Sequence, residues 1–226
     1  MSTAAILPVK RFSHAKQRLE PELGSGSRQA LASAMFADVL SALGRSALVE
    51  RLIVVTGERQ VRDAVFDTDV VLIEDPSEKG QSPAALSGLA RAAAAGFDRA
   101  LLIPGDTPLI DPLELDNLLS TISVSAVDVA IVPDRHGTGT NALVLDPSGP
   151  FQPQFGPDSR QRHELEARRR GLRHTIEPVP SLLLDVDTPD DLAALRKAFD
   201  EHRGHAPRTQ GVIRQFERSR RSTIPA

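Results

Sequence analysis

Ala100-Leu-Leu-Ile-Pro-Gly-Asp-Thr-Pro-Leu109 is the stretch on which the reading of the fold turns. Its uninterrupted apolar run suits a strand buried on both faces, as in a parallel sheet covered by helices. Pro104 ends that strand, because proline has no N–H to give the ladder. Gly105 permits a sharp exit. Asp106 is then expected just past the carboxyl end of a central strand, where open α/β sheets bind their ligands. A carboxylate there can hold a divalent cation against a nucleotide phosphate. The plainer alternative is that Asp106 caps a helix beginning near Pro112.

Working outward, buried strands are expected over 4–9, 51–56, 70–73, 128–133 and 142–145. Helices are expected over 28–43, 60–66, 84–95, 112–122, 160–170 and 190–199. The first carries Leu31, Met35, Val39 and Leu43 at helical spacing, a core stripe rather than a cofactor contact. Leu115, Leu118, Leu119 and Ile122 make the same kind of stripe. Strands alternating with helices predict an α/β fold with a doubly wound, mostly parallel sheet in a single domain over 1–200. From His202 on, the tail holds six arginines and one glutamate. Residues 201–226 therefore read as an Arg-rich extension, mobile or ordered on a partner.

Composition narrows the function classes. The chain has 226 residues, 40% of them hydrophobic, and a net charge of −3, so no global basic field argues for nucleic acid. With no Trp or Tyr and eight Phe, there is little aromatic surface for stacking bases. The absence of cysteine excludes disulfides, thiolate zinc sites and a Cys nucleophile. Lys10-Arg11 follows only a few apolar residues, and no apolar run approaches ~18 residues. No signal peptide and no membrane association are expected, and the location expected is cytoplasmic.

Candidate site residues fall at the carboxyl ends of the expected strands. Lys10, Lys16 and Arg18 follow the first strand and can cradle a triphosphate, lysine as a point charge and arginine as a fork. They lack Walker or dinucleotide glycine spacing, and a solvated basic loop is the alternative. Gln81 and Ser82 lie in a polar loop (74–83) that opens onto a helix and can read a base edge. Asp134-Arg-His-Gly-Thr-Gly-Thr-Asn141 interleaves glycines and threonines in a way that brings N–H groups and hydroxyls to an anion. His136 within it reads more simply as a solvated side chain. Ser159 suits the N-cap of the following helix, whose N-terminus can equally receive a carboxylate or phosphate. Asp185 and Asp187 alternate around Val186 and project to one side of an extended segment. Thr188 can cap the next helix, with Asp190 and Asp191 in its first turn, which leaves Asp185 and Asp187 without a capping role. Carboxylates without His or Cys suit magnesium.

Pro8-Val-Lys10, Ala15-Lys-Gln-Arg-Leu19, Gly105-Asp-Thr-Pro-Leu109, Asp134 to Asn141, Phe155-Gly156 with Ser159, and Asp185-Val-Asp-Thr-Pro-Asp-Asp-Leu192 occur in that order. Over about residues 4–200 the chain thereby resembles the guanylyltransferases that make the first nucleotide intermediate of coenzyme F420. Gly-Asp-x-Pro and Asp-x-Asp-Thr-Pro are widespread among sugar-type nucleotidyltransferases, and the Arg-His-Gly-Thr-Gly-Thr-Asn run narrows the match. Family members often show Gly-Leu-Asn-Ala-Ala-Leu where this chain has Gly80-Gln-Ser-Pro-Ala-Ala-Leu86.

The resemblance implies a nucleotide-diphospho-sugar transferase-like, Rossmann-like domain with GTP and a small phosphorylated acid as substrates. Phosphoenolpyruvate is the expected acid, with 2-phospho-L-lactate and 3-phosphoglycerate as alternatives. It implies Mg2+ on Asp106, Asp185 and Asp187, with Lys16 and Asp106 as the catalytic pair. Lys10, Lys16, Arg18, Gln81 and Ser82 would hold the nucleotide, and Thr140, Gly156 and Ser159 the acid. Any self-association is expected to be a homodimer. More distant readings are a CTP- or molybdopterin-type nucleotidyltransferase, or a nucleotide-sensing module without catalysis. Molybdopterin enzymes typically begin with a glycine-rich loop, which Leu7-Pro-Val-Lys10 lacks.

Overall fold

The run around Leu101 lies in the middle of the sheet. The computed structural model describes residues 1–66, 68–201 and 205–222. Seven strands among them form one sheet: β1 (Thr3–Val9), β2 (Arg51–Thr56), β3 (Val70–Glu74), β4 (Arg99–Leu102), β5 (Val129–Pro133), β6 (Thr140–Leu145) and β7 (His174–Ile176). Their spatial order is β3-β2-β1-β4-β6-β5-β7. All neighbours are parallel except β6, which runs antiparallel to both β4 and β5. The protein is thus an α/β domain with a mostly parallel sheet. Ala100, Leu101 and Leu102 are wholly buried, and Ile103 still bonds to the Ile6 carbonyl before Pro104 breaks the ladder.

Among the described residues seven α-helices accompany the strands: α1 (Ser25–Leu43), α2 (Arg59–Val65), α3 (Gln81–Ala94), α4 (Pro112–Val124), α5 (Ser159–Arg169), α6 (Pro189–Asp200) and α7 (Pro207–Ser222). Alternation along the strands splits the core. Ala5, Leu7, Leu101, Ala130 and Val144 face α1, α2 and α4. Ala4, Ile6, Leu102, Leu143 and Leu145 face α3 and α5. Gly88 lets α3 lie directly on β1, since a Cβ there would stand 2.2 Å from Ile6 Cγ2. That close approach sets the N-terminus of α3 beside the carboxyl end of β1.

Four expectations need correction. Helix α1 begins at Ser25 rather than at 28, and α3 begins at Gln81 rather than at 84. Pro83 misleads there: in a first turn its missing N–H removes a donor that has no partner anyway. Ser159 is not the cap of α5 but its first residue; Asp158 is the cap, in left-handed conformation at φ 53°.

The fourth concerns the tail, read from sequence as an extension that is mobile or ordered on a partner. Residues 207–222 form helix α7, packed on α1. Asp38, 1% exposed in the middle of α1, accepts hydrogen bonds from the Thr209 amide and hydroxyl, both at 2.8 Å. Ile213 is buried with Leu31, Met35 and Leu195. A buried carboxylate thus holds amides at the start of α7, and an apolar stripe glues it down. Residues 202–204 and 223–226 of the expected extension lie outside the described residues. Among the described residues no helix is long and apolar enough to cross a membrane.

Candidate active site

The strand order changes direction between β1 and β4, so their carboxyl ends diverge and open a crevice at the switch point. A cleft of about 220 Å³ lies there, lined from β1 by Pro8, Val9 and Lys10 and from β4 by Pro104, Gly105 and Asp106. A Cβ at Gly105 would make only ordinary contacts, with Phe36 at 3.4 Å and Val9 at 3.7 Å, so packing does not demand glycine there. Gly80 and Gln81 at the start of α3, with Asp75 and Glu78 before it, form another wall.

The segment after β1 folds into two short 3-10 turns, Phe12–His14 and Gln17–Leu19, anchored by buried Phe12 and Leu19. Two glutamates pin it. Glu58 accepts from the Phe12 amide at 2.8 Å and Glu78 from the Arg11 amide at 2.9 Å. Between the turns, Lys16 takes φ 57°, a left-handed conformation that a non-glycine residue adopts only when its surroundings hold it there. Its ammonium stands 2.6 Å from Asp106 Oδ2 and 2.8 Å from Asp187 Oδ1.

The second acidic segment comes alongside through its backbone. The Val186 amide donates to the Asp106 carbonyl at 3.2 Å, and the Val186 side chain is wholly buried. Beyond it, Thr188 and Asp191 form a capping box at the start of α6. Arg135 grips Asp191 at 2.7 Å and so ties the glycine–threonine loop to that cap. Asp185 is held from behind by Asn141 Nδ2 at 3.2 Å, which also donates to the carbonyls of Leu182 and Leu183.

Electrostatics follow from this crowding. Burial opposes the charge on Lys16, yet the carboxylates of Asp106 and Asp187 outweigh it and hold its pKa above the ordinary lysine value. Asp187 is pulled below the usual carboxylate range: burial works against this, but Lys16, then Arg18 and Lys10, prevail. Among the described residues Asp185 forms no ion pair. Burial, then the charges of Asp106 and Asp187, push it up to about 6.

A second cluster lies across the sheet. The β5–β6 register shifts at Val132/Pro133, leaving Asn141 as an extra residue. Such a bulge re-aims side chains. Asn141 reaches the 182–185 segment, while Thr140 reaches α5 on the other face, with Oγ1 2.9 Å from His163 Nδ1. Gly156, at φ 113°, turns the chain into α5. The Ser159 amide bonds to the Gly156 carbonyl and the Arg160 amide to Thr138.

The structure therefore gathers Lys10, Lys16, Gln81, Asp106 and Asp187 around the cleft, with Asp185 behind them and Arg18 near enough to act on Asp187. Thr140 lies on β6 against His163 of α5, and Gly156 and Ser159 lie in the turn into that helix. Ser82 is absent from the cleft lining; its hydroxyl accepts from the Phe155 amide at 2.9 Å and ties the two regions together. His136 is exposed, its Nε2 accepting from Arg135. Sequence reasoning passes over Glu58, Glu78 and His163. Glu58 follows the carboxyl end of β2, where a ligand-side residue is expected. His163 is four residues after Ser159 and so shares its helix face.

Comparison with known proteins identifies the family. The family model described as guanylyl transferase, CofC like, matches residues 3–204. The phosphoenolpyruvate guanylyltransferase of Conexibacter woesei is 46% identical over 219 residues, covering 97% of this chain and 98% of its own. The 2-phospho-L-lactate guanylyltransferase of Methanothermobacter thermautotrophicus is 38% identical, over 86% of this chain and 84% of its own. A solved protein of Desulfovibrio desulfuricans G20, classed with the nucleotide-diphospho-sugar transferases, shares the fold at a TM-score of 0.71. Its identity is 20%, and the match covers 96% of this chain and 99% of that one. The chain belongs to the CofC-like guanylyl transferase family.

Proposed function

We propose that this enzyme joins GMP from GTP to phosphoenolpyruvate, giving enolpyruvoyl-2-diphospho-5′-guanosine and pyrophosphate as a step of coenzyme F420 biosynthesis. The observation that carries the site assignment is Lys16 seated between Asp106 and Asp187 at the β1/β4 switch point. Greater similarity to the relative named for phosphoenolpyruvate than to the one named for phospholactate favours the acceptor.

In this reading an oxygen of the acceptor phosphate attacks the α-phosphorus of GTP in line. One P–O bond forms, the bond to the β-phosphate oxygen breaks, and pyrophosphate leaves with the electron pair. A phosphate anion is already nucleophilic, so no covalent enzyme intermediate is required. Catalysis then consists of positioning and charge neutralisation. Lys10, Lys16 and Arg18 neutralise the triphosphate, Gln81 at the start of α3 faces the base, and Thr140, Gly156 and Ser159 hold the acid.

The donor set fits Mg2+. Asp106 Oδ1 is buried without a hydrogen-bond partner, and Asp185 and Asp187 add the hard oxygen donors that magnesium prefers. Among the described residues no three such side chains form a ready-made cage; Lys16 holds two of the carboxylates in this conformation. When bound, the ion would supply Lewis-acid neutralisation of phosphate charge.

The test of the acceptor is competitive. Enzyme, GTP and magnesium are incubated with equal amounts of phosphoenolpyruvate, 2-phospho-L-lactate and 3-phosphoglycerate, and the guanylylated product is identified by mass. The phosphoenolpyruvate adduct should predominate. Near-isosteres are separated by only ~1–3 kcal/mol in such pockets, so a minor phospholactate adduct is compatible. A predominant lactyl or glyceryl adduct overturns the acceptor assignment.

A further inference from the structure

We propose that His163 is a positioning residue for the acceptor acid, fixing the Thr140 hydroxyl so that its proton points to the acid rather than into the protein. The inference rests on the reading that Thr140 holds that acid.

Both ring nitrogens of this wholly buried histidine are engaged. Nε2 lies 2.8 Å from the Gln154 amide nitrogen. An amide N–H can only donate, so Nε2 is the acceptor and carries no proton. The ring is neutral, because burial and then the nearby Arg162 push its pKa down to about 3. Its single proton therefore sits on Nδ1, 2.9 Å from Thr140 Oγ1, and the ring donates to the hydroxyl. Thr140 then has no use for its own proton within this pair. That proton is available to a carboxylate or phosphate oxygen.

The opposite tautomer would reverse the outcome. Thr140 would give its proton to Nδ1 and present only lone pairs to an anion, which repels it. One backbone amide, on Gln154, thus decides whether the hydroxyl attracts or repels the acid. The ring cannot rotate away easily: Phe155 meets it edge-on at 5.2 Å between centroids, and Phe151 leans on it at 5.8 Å. Because His163 is four residues after Ser159, one helix face carries both the ring and a residue of the acid site.

Two substitutions separate this role from simple packing. His163→Gln places a carbonyl oxygen near the Nε2 position, keeping an acceptor for Gln154 while removing the donor to Thr140. His163→Asn does the reverse, keeping an N–H near the Nδ1 position and abandoning Gln154. Steady-state KM values for phosphoenolpyruvate and GTP are measured with the melting temperature of each variant. His163→Gln should raise the phosphoenolpyruvate KM about tenfold, the effect of one hydrogen bond to a charged group, with the GTP KM unchanged. His163→Asn should melt lower yet keep a near-native acid KM. In the Thr140→Val background, His163→Gln should add nothing further. Acid KM values that follow melting temperature, or the reverse order of the two variants, overturn the proposal. So does an additive loss in the double variant. If Thr140→Val alone leaves the acid KM unchanged, the acid-site reading itself fails and the His163 role falls with it.

Discussion

Asp106→Asn and Asp187→Asn should each lower turnover at least about 10²-fold while leaving the fold intact, the usual cost of removing one charge contact from a preorganised site. Both substitutions preserve shape. Each weakens the grip on Lys16 and removes a hard oxygen donor from the phosphate-binding side of the cleft. Backbone links remain, since the Val186–Asp106 bond and the Thr188–Asp191 capping box do not involve either carboxylate. Circular dichroism and pyrophosphate release measured together check the expectation. Native-like pyrophosphate release from Asp106→Asn would remove this residue from the mechanism. Asp185 stands apart, because Asn141 ties it to β6 and among the described residues it forms no ion pair.

Lys16→Met should be the second large loss, again at least about 10²-fold in turnover. The lysine side chain is 5% exposed, against 27% and 48% for its partners Asp106 and Asp187. Removing the ammonium leaves three carboxylates facing one another without the cation between two of them. Breaking a fully buried pair costs about 3–5 kcal/mol, and the half-exposed Asp187 side chain should reduce that here. Thermal melts and initial rates separate two roles. A lysine that only braces the loop would lower the melting temperature and spare turnover at temperatures where the variant is folded. A lysine that also meets the triphosphate would lose turnover even there.

Much of this architecture is legible in the sequence because buried parallel strands announce themselves. The 51–56 run becomes β2 at its expected boundaries, and the stripe Leu115, Leu118, Leu119 and Ile122 faces the core of α4 as its spacing requires. β7 is illegible: three residues at a sheet edge have too little length for a periodic signal. α7 is missed for a different reason. Its arginines dominate the local composition, and its partner Asp38 lies 171 residues away in the chain.

The candidate site shows the same division. Residues at the carboxyl ends of β1 and β4 are found by a positional rule, as is the Asp185–Asp187 pair by its spacing. Lys16 filling the gap between Asp106 and Asp187 is not foreseeable, since it depends on a left-handed backbone residue held by Phe12 and Leu19. Ser82, read as facing a base, instead accepts from Phe155 because α3 begins earlier than Pro83 suggests. His163 escapes notice because its importance lies in which proton its ring carries.

The most direct measurement follows pyrophosphate from the wild-type enzyme with magnesium and GTP, with and without phosphoenolpyruvate. Release is expected only when the acid is present, matched one for one by enolpyruvoyl-diphosphoguanosine, with no label from GTP remaining on the protein. Pyrophosphate released from GTP alone with guanylyl label retained on the chain would contradict direct transfer between the two phosphates.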